Sequence, residues 1–355
     1  MAKRYRVGLI GCGIGSSHIS EGYAMHPDKY EVVALCDLDE VRLKAVADEF
    51  NVERRLTSTD ELMAMEDIDI IDICTPPAIH TRLILQGLAT GKHVVCEKPL
   101  TGSLSELDEV VAAEKVAKGK LMPIYQYRYG DGVQQARRII ESGLAGTPYV
   151  ATAETLWKRD AAYYDNPWRG RWATELGGVL MTHAIHLHDM LTYLMGPIDR
   201  VFARTATRVN PIEVEDCVSA SLLMKSGALV AVSTTLGSQE EISRLRLSFE
   251  NVTMESNHSA YSPGDGPWRF IPASEEIGRK IDALLSDMPT VGRRFNGQME
   301  AFYHALENGD TPPVTTADAR GSLELLAAIY HSNDINADVA LPITQGHPKY
   351  ISWRP

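Results

Sequence analysis

The sequence has no long apolar run. No stretch approaches the roughly 18 residues that would suggest a membrane span, so the chain reads as a water-soluble protein. Cysteine is scarce. The five present (Cys12, Cys36, Cys74, Cys96 and Cys217) are odd in number and include no Cys-x-x-Cys pair. That argues against a disulfide scaffold and fits a reducing cytoplasm. Positive charge is in short supply as well: 35 Lys and Arg face 47 Asp and Glu, a net charge of -12. Such a balance repels nucleic acid and anionic membrane, so neither is expected as a partner, although a small anionic substrate could still meet local cations. The basic-then-apolar start, Met1 to Ile10, is too short for a signal peptide and passes straight into glycines, which suit a first strand. Internal repeats and low-complexity tracts are absent too.

What is there has the balance of an ordinary globular protein, 44% hydrophobic and 23% charged over 355 residues. That length suggests about two domains. Over residues 1–125, strand-like runs (Tyr5–Ile10, Tyr30–Cys36, a short Arg54–Leu56, Ile68–Ile73, His93–Cys96, Leu121–Tyr125) alternate with helical patterns at Ser17–His26, Glu40–Phe50, His80–Thr90 and Ser105–Lys118. Alternation of this kind predicts an α/β, doubly wound parallel sheet, a Rossmann domain. Residues 126–355 read differently. Helices are expected at Gly132–Ser142 and Gly178–Leu194, and strands at Pro148–Trp157, Arg200–Arg208, Asp216–Met224, Ala228–Leu236 and Ile242–Phe249. A Pro/Gly-rich excursion over 257–294 and closing helices at Arg293–Asn308 and Thr316–Ser332 follow. This predicts an α+β domain with a mostly antiparallel open sheet.

Gly11-Cys12-Gly13-Ile14-Gly15-Ser16 follows the first strand and opens a helix. The first glycine permits the tight turn, the second lets backbone approach a pyrophosphate, and the helix start offers N–H groups to it. The third fingerprint position holds Ser16 where Gly or Ala is usual. Asp37, 21 residues beyond Ser16 at the end of the second strand, would accept hydrogen bonds from the adenosine ribose and repel a 2′-phosphate. NAD is therefore expected over NADP. Ile73-Cys74-Thr75-Pro76-Pro77 ends another strand on the ligand side, with Thr75 facing the cofactor and His80 just inside the next helix.

Cys96-Glu97-Lys98-Pro99 ends the fifth strand. A lysine held there can steady an alkoxide, and the following proline would fix its direction. Further on, Thr182, His186 and Asp189 fall at i, i+4 and i+7, on one face of a helix. The same period sets His183 and His188 apart and splits what could be mistaken for a metal cluster, so no metal is expected.

In these features, together with Gly177-Gly178 and the C-terminal Ala327-Ala328-Ile329-Tyr330-His331-Ser332, the chain resembles the glucose–fructose oxidoreductase/inositol dehydrogenase/rhizopine catabolism family, Gfo/Idh/MocA. The resemblance runs nearly end to end. It implies a Rossmann domain (1–125), a substrate-binding and oligomerisation domain (126–355) whose open sheet makes a homodimer or homotetramer, and NAD(P)-dependent oxidation or reduction of a sugar or cyclitol carbon. It also implies that Lys98 lies between nicotinamide and substrate and that His186 is the acid/base. Thr182 stands where many relatives carry Asp; it can hold a hydroxyl but brings no charge. The expected cofactor contacts are Gly11, Gly13, Ile14, Ser16, Asp37, Thr75, Pro76, His80, Glu97, Lys98 and Gln126. Those expected for substrate are Lys98, Arg128, Trp168, Arg169, Thr182, His183 and His186, and the catalytic set is Lys98, His186 and Thr182. A nucleotide-sugar dehydrogenase, an NAD-recycling glycosidase and a non-catalytic cofactor-sensing regulator stay open as alternatives.

Overall fold

The computed structural model describes residues 3–354; Met1, Ala2 and Pro355, at the outer ends of the expected domains, lie outside them. The chain divides into two compact units, residues 1–125 with 295–319, and residues 126–294 with 320–355.

The first unit holds β1 (Tyr5–Ile10), α1 (Cys12–Glu21), β2 (Tyr30–Cys36), α2 (Glu40–Glu49), β3 (Arg54–Leu56), α3 (Thr59–Ala64), β4 (Ile70–Ile73), α4 (His80–Ala89), β5 (His93–Cys96), α5 (Leu104–Val116) and β6 (Leu121–Pro123). The sheet is parallel in the order β3-β2-β1-β4-β5-β6, which reverses direction between β1 and β4. Helices start where short polar side chains take up free N–H groups. Asp39 accepts from Val41 and Arg42 N–H at α2, and Ser103 accepts from Glu106 N–H at α5. The central strand β4 is buried along its whole length, and β1 and β5 at all but one residue each, as expected of parallel strands covered on both faces. The first helix begins at Cys12 rather than Ser17. Its glycines look like breakers in sequence, yet they form the helix start.

The helix Arg294–Asn308 also serves this unit from Phe295 onward. Gln298 donates to Pro123 O at 2.8 Å and accepts from Tyr125 N–H at 3.2 Å, and Tyr30 Oη donates to Met299 O at 2.8 Å. No linear boundary captures such a return of the chain.

The second unit contains α6 (Asp131–Glu141), β7 (Pro148–Lys158), α7 (Ile185–Met195), β8 (Ile198–Ala206), β9 (Cys217–Met224), β10 (Leu229–Thr235), β11 (Gly237–Phe249), β12 (Val252–Glu255), β13 (Arg269–Pro272), α8 (Glu275–Leu285) and β14 (Val339–Ala340). Its eight strands run β13-β12-β11-β7-β10-β9-β8-β14, antiparallel except for β7 beside β10. Residues 252–285 are more regular than expected: β12 returns from the Glu250-Asn251 turn, and β13 ends in Pro272 at the sheet edge, where a missing N–H costs least. One face, with Ala151, Ala153, Val230, Val232, Leu245 and Leu247, is buried, and α7 packs against β7 and β11. The other face is open.

Candidate active site

In the first unit the carboxyl ends of β1, β2, β4 and β5 come together at the reversal of strand order, where ligands bind in open α/β sheets. Gly11 has φ +96°, and a Cβ there would meet Cys74 O at 2.6 Å, so only glycine fits. At Gly13 a Cβ would touch nothing within 4 Å, which leaves the helix start open to a ligand. Close packing of helix on strand falls to Gly15, whose Cβ would strike Leu9 at 2.6 Å. Ser16 is freed from that role and donates its hydroxyl to Gly13 O at 2.9 Å. The departure from the fingerprint at Ser16 is thus made good one residue earlier. Ile14 is an exposed apolar side chain at the same helix start.

Asp37 is buried and holds four donors: Cys12 N–H at 2.7 Å, Asp39 N–H at 2.9 Å, and Arg42 through Nε at 2.9 Å and Nη2 at 2.8 Å. Burial works to push its carboxyl above the ordinary value, but the Arg42 fork and the two backbone donors hold it below the usual carboxylate range. Arg42 therefore caps the carboxylate that the sequence reserves for a ribose. Thr75 Oγ1 is buried with no hydrogen-bond partner among the described residues, as a hydroxyl waiting for a ligand would be. Pro76 beside it is exposed.

Two of the expected cofactor contacts, His80 and Glu97, are engaged in hydrogen bonds within the first unit. His80 is fully buried, with Nδ1 2.8 Å from Pro99 O and Nε2 2.8 Å from Thr75 O, so it ties the end of β4 to the segment after β5. Burial pulls its basicity down. Glu97 is buried too; it accepts Lys98 N–H at 3.0 Å and contacts His18. Lys98 is half-buried, and its peptide to Pro99 is cis.

In the second unit the helix carrying the histidines opens with a π turn, Leu180–Ala184, before α7. Such turns occur often at functional sites. Gly177 and Gly178 are required by internal packing: a Cβ would meet Tyr330 Oη at 2.7 Å and Glu215 O at 1.8 Å respectively. Glu215 holds the helix start, accepting N–H from Gly178 (3.0 Å) and Leu180 (3.0 Å) and the hydroxyl of Tyr330 (2.8 Å). Burial pushes Glu215 up to about 6.

The helical period separates His183 from Thr182, yet the two are bonded, Oγ1 to Nδ1 at 2.6 Å, while Thr182 donates to Gly178 O at 2.8 Å. The Thr182 proton is thus used, so the ring donates from Nδ1 and leaves Nε2 as acceptor. Tyr163 Oη lies 3.4 Å from that Nε2, and Arg169 touches the same hydroxyl while its guanidinium stacks on Tyr163 and Trp168 at 4.0 and 4.3 Å. Tyr163 escaped sequence reasoning; the aromatic density around Trp157, Tyr163 and Trp168 was the available signal. His186 is buried and stacks on Tyr127 at 4.5 Å and 22°. Burial pulls His188 down to about 4, which keeps it neutral.

Arg128, expected on the substrate side, forks onto Asp189: Nε is 2.7 Å and Nη2 2.5 Å from the carboxylate, and both residues are buried. A guanidinium at the end of the first sheet cannot be told from a substrate ligand by sequence. Here it anchors α7, and Asp189, on the helical face of Thr182 and His186, is its counterion. Gln126 Oε1 is buried without a hydrogen-bond partner among the described residues. Lys158 is exposed at the end of β7.

A family model described as the oxidoreductase family with NAD-binding Rossmann fold (GFO_IDH_MocA) matches residues 5–125, and the GFO/IDH/MocA C-terminal domain matches residues 133–255. The chain belongs to the Gfo/Idh/MocA family. It is an NAD-binding oxidoreductase, and Gly13, Asp37 and Thr75 fit a dinucleotide by the geometry above. Over 241 residues it is 30% identical to an uncharacterized oxidoreductase of Bacillus subtilis, YrbE, taking in 66% of this chain and 68% of the relative. A myo-inositol 2-dehydrogenase of Thermotoga maritima is 27% identical over 335 residues, 90% of this chain and 93% of that one. Among solved structures, the WlbA dehydrogenase of Bordetella pertussis in complex with NADH and UDP-GlcNAcA matches with a TM-score of 0.84 at 27% identity, covering 96% of this chain and all of that one. All of these Gfo/Idh/MocA relatives carry names of oxidoreductases. Among the described residues, no helix is long and apolar enough to cross a membrane.

Proposed function

We propose that this protein is an NAD-dependent dehydrogenase acting on a secondary or anomeric hydroxyl of a sugar, sugar derivative or cyclitol. When bound, NAD supplies the hydride acceptor. Residues 1–125 would hold it through Gly11, Gly13, Asp37 and Thr75, with Ile14 and Pro76 against its rings. Lys98 would hold the reacting hydroxyl and stabilise its alkoxide, and His186 would take the proton. Thr182, His183 and Arg169 would orient the other hydroxyls. The observation that carries this reading is Lys98 at the carboxyl end of β5, its backbone N–H held by Glu97, on the same sheet edge as the open Gly13 turn and the unpartnered Thr75 hydroxyl. The names of the inositol dehydrogenase and of WlbA supply the substrate range. A panel of free sugars, sugar acids, cyclitols and nucleotide sugars, scored for NADH formation, tests it. Tight NADH binding with no turnover of any alcohol in the panel would favour a cofactor-sensing regulator and sink the proposal.

The open sheet face supports a homo-oligomer. Phe202, Ser221, Ala231 and Thr152 lie in register across it, beside a second row of Leu223, Leu229 and Val150, and exposed Leu, Val and Phe in such a row suit a second copy of the chain. Five unpaired cysteines suit a reducing, cytoplasmic setting.

A further inference from the structure

Four titratable side chains lie sealed beneath the carboxyl edge of the first sheet. His18 is on α1, Asp72 and Cys74 are on and just after β4, and Glu97 follows β5. His18 and Asp72 are fully buried. His18 Nδ1 is 2.8 Å from Asp72 Oδ2, and Nε2 is 3.1 Å from Glu97 Oε1. An ionised carboxylate only accepts hydrogen bonds, so with one at each nitrogen the ring donates from both and is an imidazolium. Burial works against that charge, but Asp72 holds His18 well above its ordinary value. Glu97 is pushed up by burial and pulled further down by His18 and Lys98. The Cys74 thiol, 3.3 Å from His18 Nδ1 and 3.5 Å from Asp72 Oδ1, stays protonated because burial raises it. Phe295 closes the cluster from above, its ring 4.5 Å from that of His18, and Tyr23 is buried beside Asp72.

The chain of contacts ends on one peptide. Glu97 Oε2 accepts the N–H of Lys98 at 3.0 Å, while its other oxygen meets His18. His18 in turn belongs to the helix whose first turn, Cys12 to Gly15, is the open glycine segment. We propose that His18 is a positioning residue: the Asp72–His18–Glu97 triad locks the Lys98 peptide to the helix that receives the dinucleotide, so that lysine and cofactor site hold one fixed geometry. The proposal rests on the reading of Lys98 as the substrate-side group. Its physical basis is that a carboxylate held at both oxygens cannot rotate without leaving an unpaired ion in a sealed cavity.

The test uses the full-length protein with His18→Gln, which keeps the side chain polar but supplies no cation. Three quantities are read: NADH affinity by fluorescence titration, the rate of reductive methylation of Lys98 by mass spectrometry with exposed Lys44 as internal standard, and turnover on the best substrate of the panel. NADH affinity should stay within about threefold, Lys98 methylation should rise at least about threefold toward the Lys44 rate, and kcat should fall roughly 10- to 100-fold, with KM moving less. Should His18→Gln fail to fold, Glu97→Gln removes the other half of the lock and should give the same rise in labelling. Unchanged Lys98 labelling in the folded variant overturns the proposal. A Lys98→Met enzyme with full turnover would instead overturn the catalytic reading of Lys98, an outcome the labelling result does not depend on.

Discussion

The two units build their polar sites in opposite ways. In the first unit, buried polar groups are held at more than one point: His18 between two carboxylates, His80 between two carbonyls, Asp37 with four donors. In the second unit the buried pair Arg128 and Asp189, and Glu215 with its three donors, are locked in this manner. Beside these, Thr182, His183, Tyr163 and Arg169 form a chain of single contacts with aromatic faces between them, and Arg169 stays partly exposed. A cofactor is the same molecule in every turnover and rewards a fixed cradle. A substrate changes between relatives, and a layer of arginines on aromatic rings can be recut without disturbing the anchor beneath it.

The largest effects should come from the residues proposed to act on the reacting hydroxyl. Lys98→Ala should leave NADH affinity within a few-fold and lower kcat by roughly 10³-fold or more, the scale of a lost electrostatic stabiliser. Fluorescence titration and initial rates measure the two separately; lost NADH binding with near-normal kcat at saturation would make Lys98 a phosphate ligand. His186→Ala should lower kcat for oxidation by about 10²–10⁴-fold and remove the acidic limb of the pH–rate profile. His183→Ala should mainly raise KM, by about tenfold, since its ring is tied to Thr182 and Tyr163. Equal losses of kcat in the two histidine variants would end the distinction between base and binding group.

A smaller effect separates the units by pH. Glu215 at the helix start of the second unit is raised by burial from 4.5 to about 6. The folded form therefore binds this proton more tightly than the unfolded chain. The stabilisation is complete below about pH 4.5 and lost as pH rises through about 6, worth on the order of 2 kcal/mol. Glu215→Gln should remove that dependence, so unfolding transitions of the second unit measured from pH 4.5 to 7 should converge in acid and separate toward neutrality. Parallel curves would show that the three donors on the carboxylate cancel its burial.

Much of the first unit could be read from the sequence because parallel strands announce themselves. Buried on both faces, they appear as unbroken apolar runs, and the residues just past them (Gly11, Asp37, Thr75, Lys98) must lie along one edge. What the sequence concealed was pairing across the fold. Asp72 inside Ile70-Ile71-Asp72-Ile73 needed a buried partner, but nothing in its neighbourhood named His18, 54 positions away. Gly15 and Ser16 exchanged roles because strand packing, and not the fingerprint, decides which position must lack a Cβ. In the second unit the 3.6-residue period was applied across a π turn, and the bond between the adjacent Thr182 and His183 was lost to it. Arg128 pairs with Asp189, 61 positions away, a partner that its own neighbourhood in the sequence does not name.

The smallest effect tests how fixed the first cradle is. Asp37 carries the sign that disfavours a 2′-phosphate, but its carboxylate is already forked by Arg42, which is itself about half exposed. A ribose hydroxyl must share Asp37 with this guanidinium, and a 2′-phosphate would meet Arg42 first. Arg42→Ala should therefore widen the preference for NAD over NADP. The gain should be only a few-fold, because an exposed ion pair is worth roughly 0–1 kcal/mol. Asp37→Ala, which leaves Arg42 without its counterion, should narrow or reverse the preference. Values of kcat/KM for both cofactors in the three proteins decide the matter. If Arg42→Ala raises neither NAD use nor discrimination, Arg42 is part of the fixed cradle, and the cofactor half of the molecule has no adjustable element at its adenosine end.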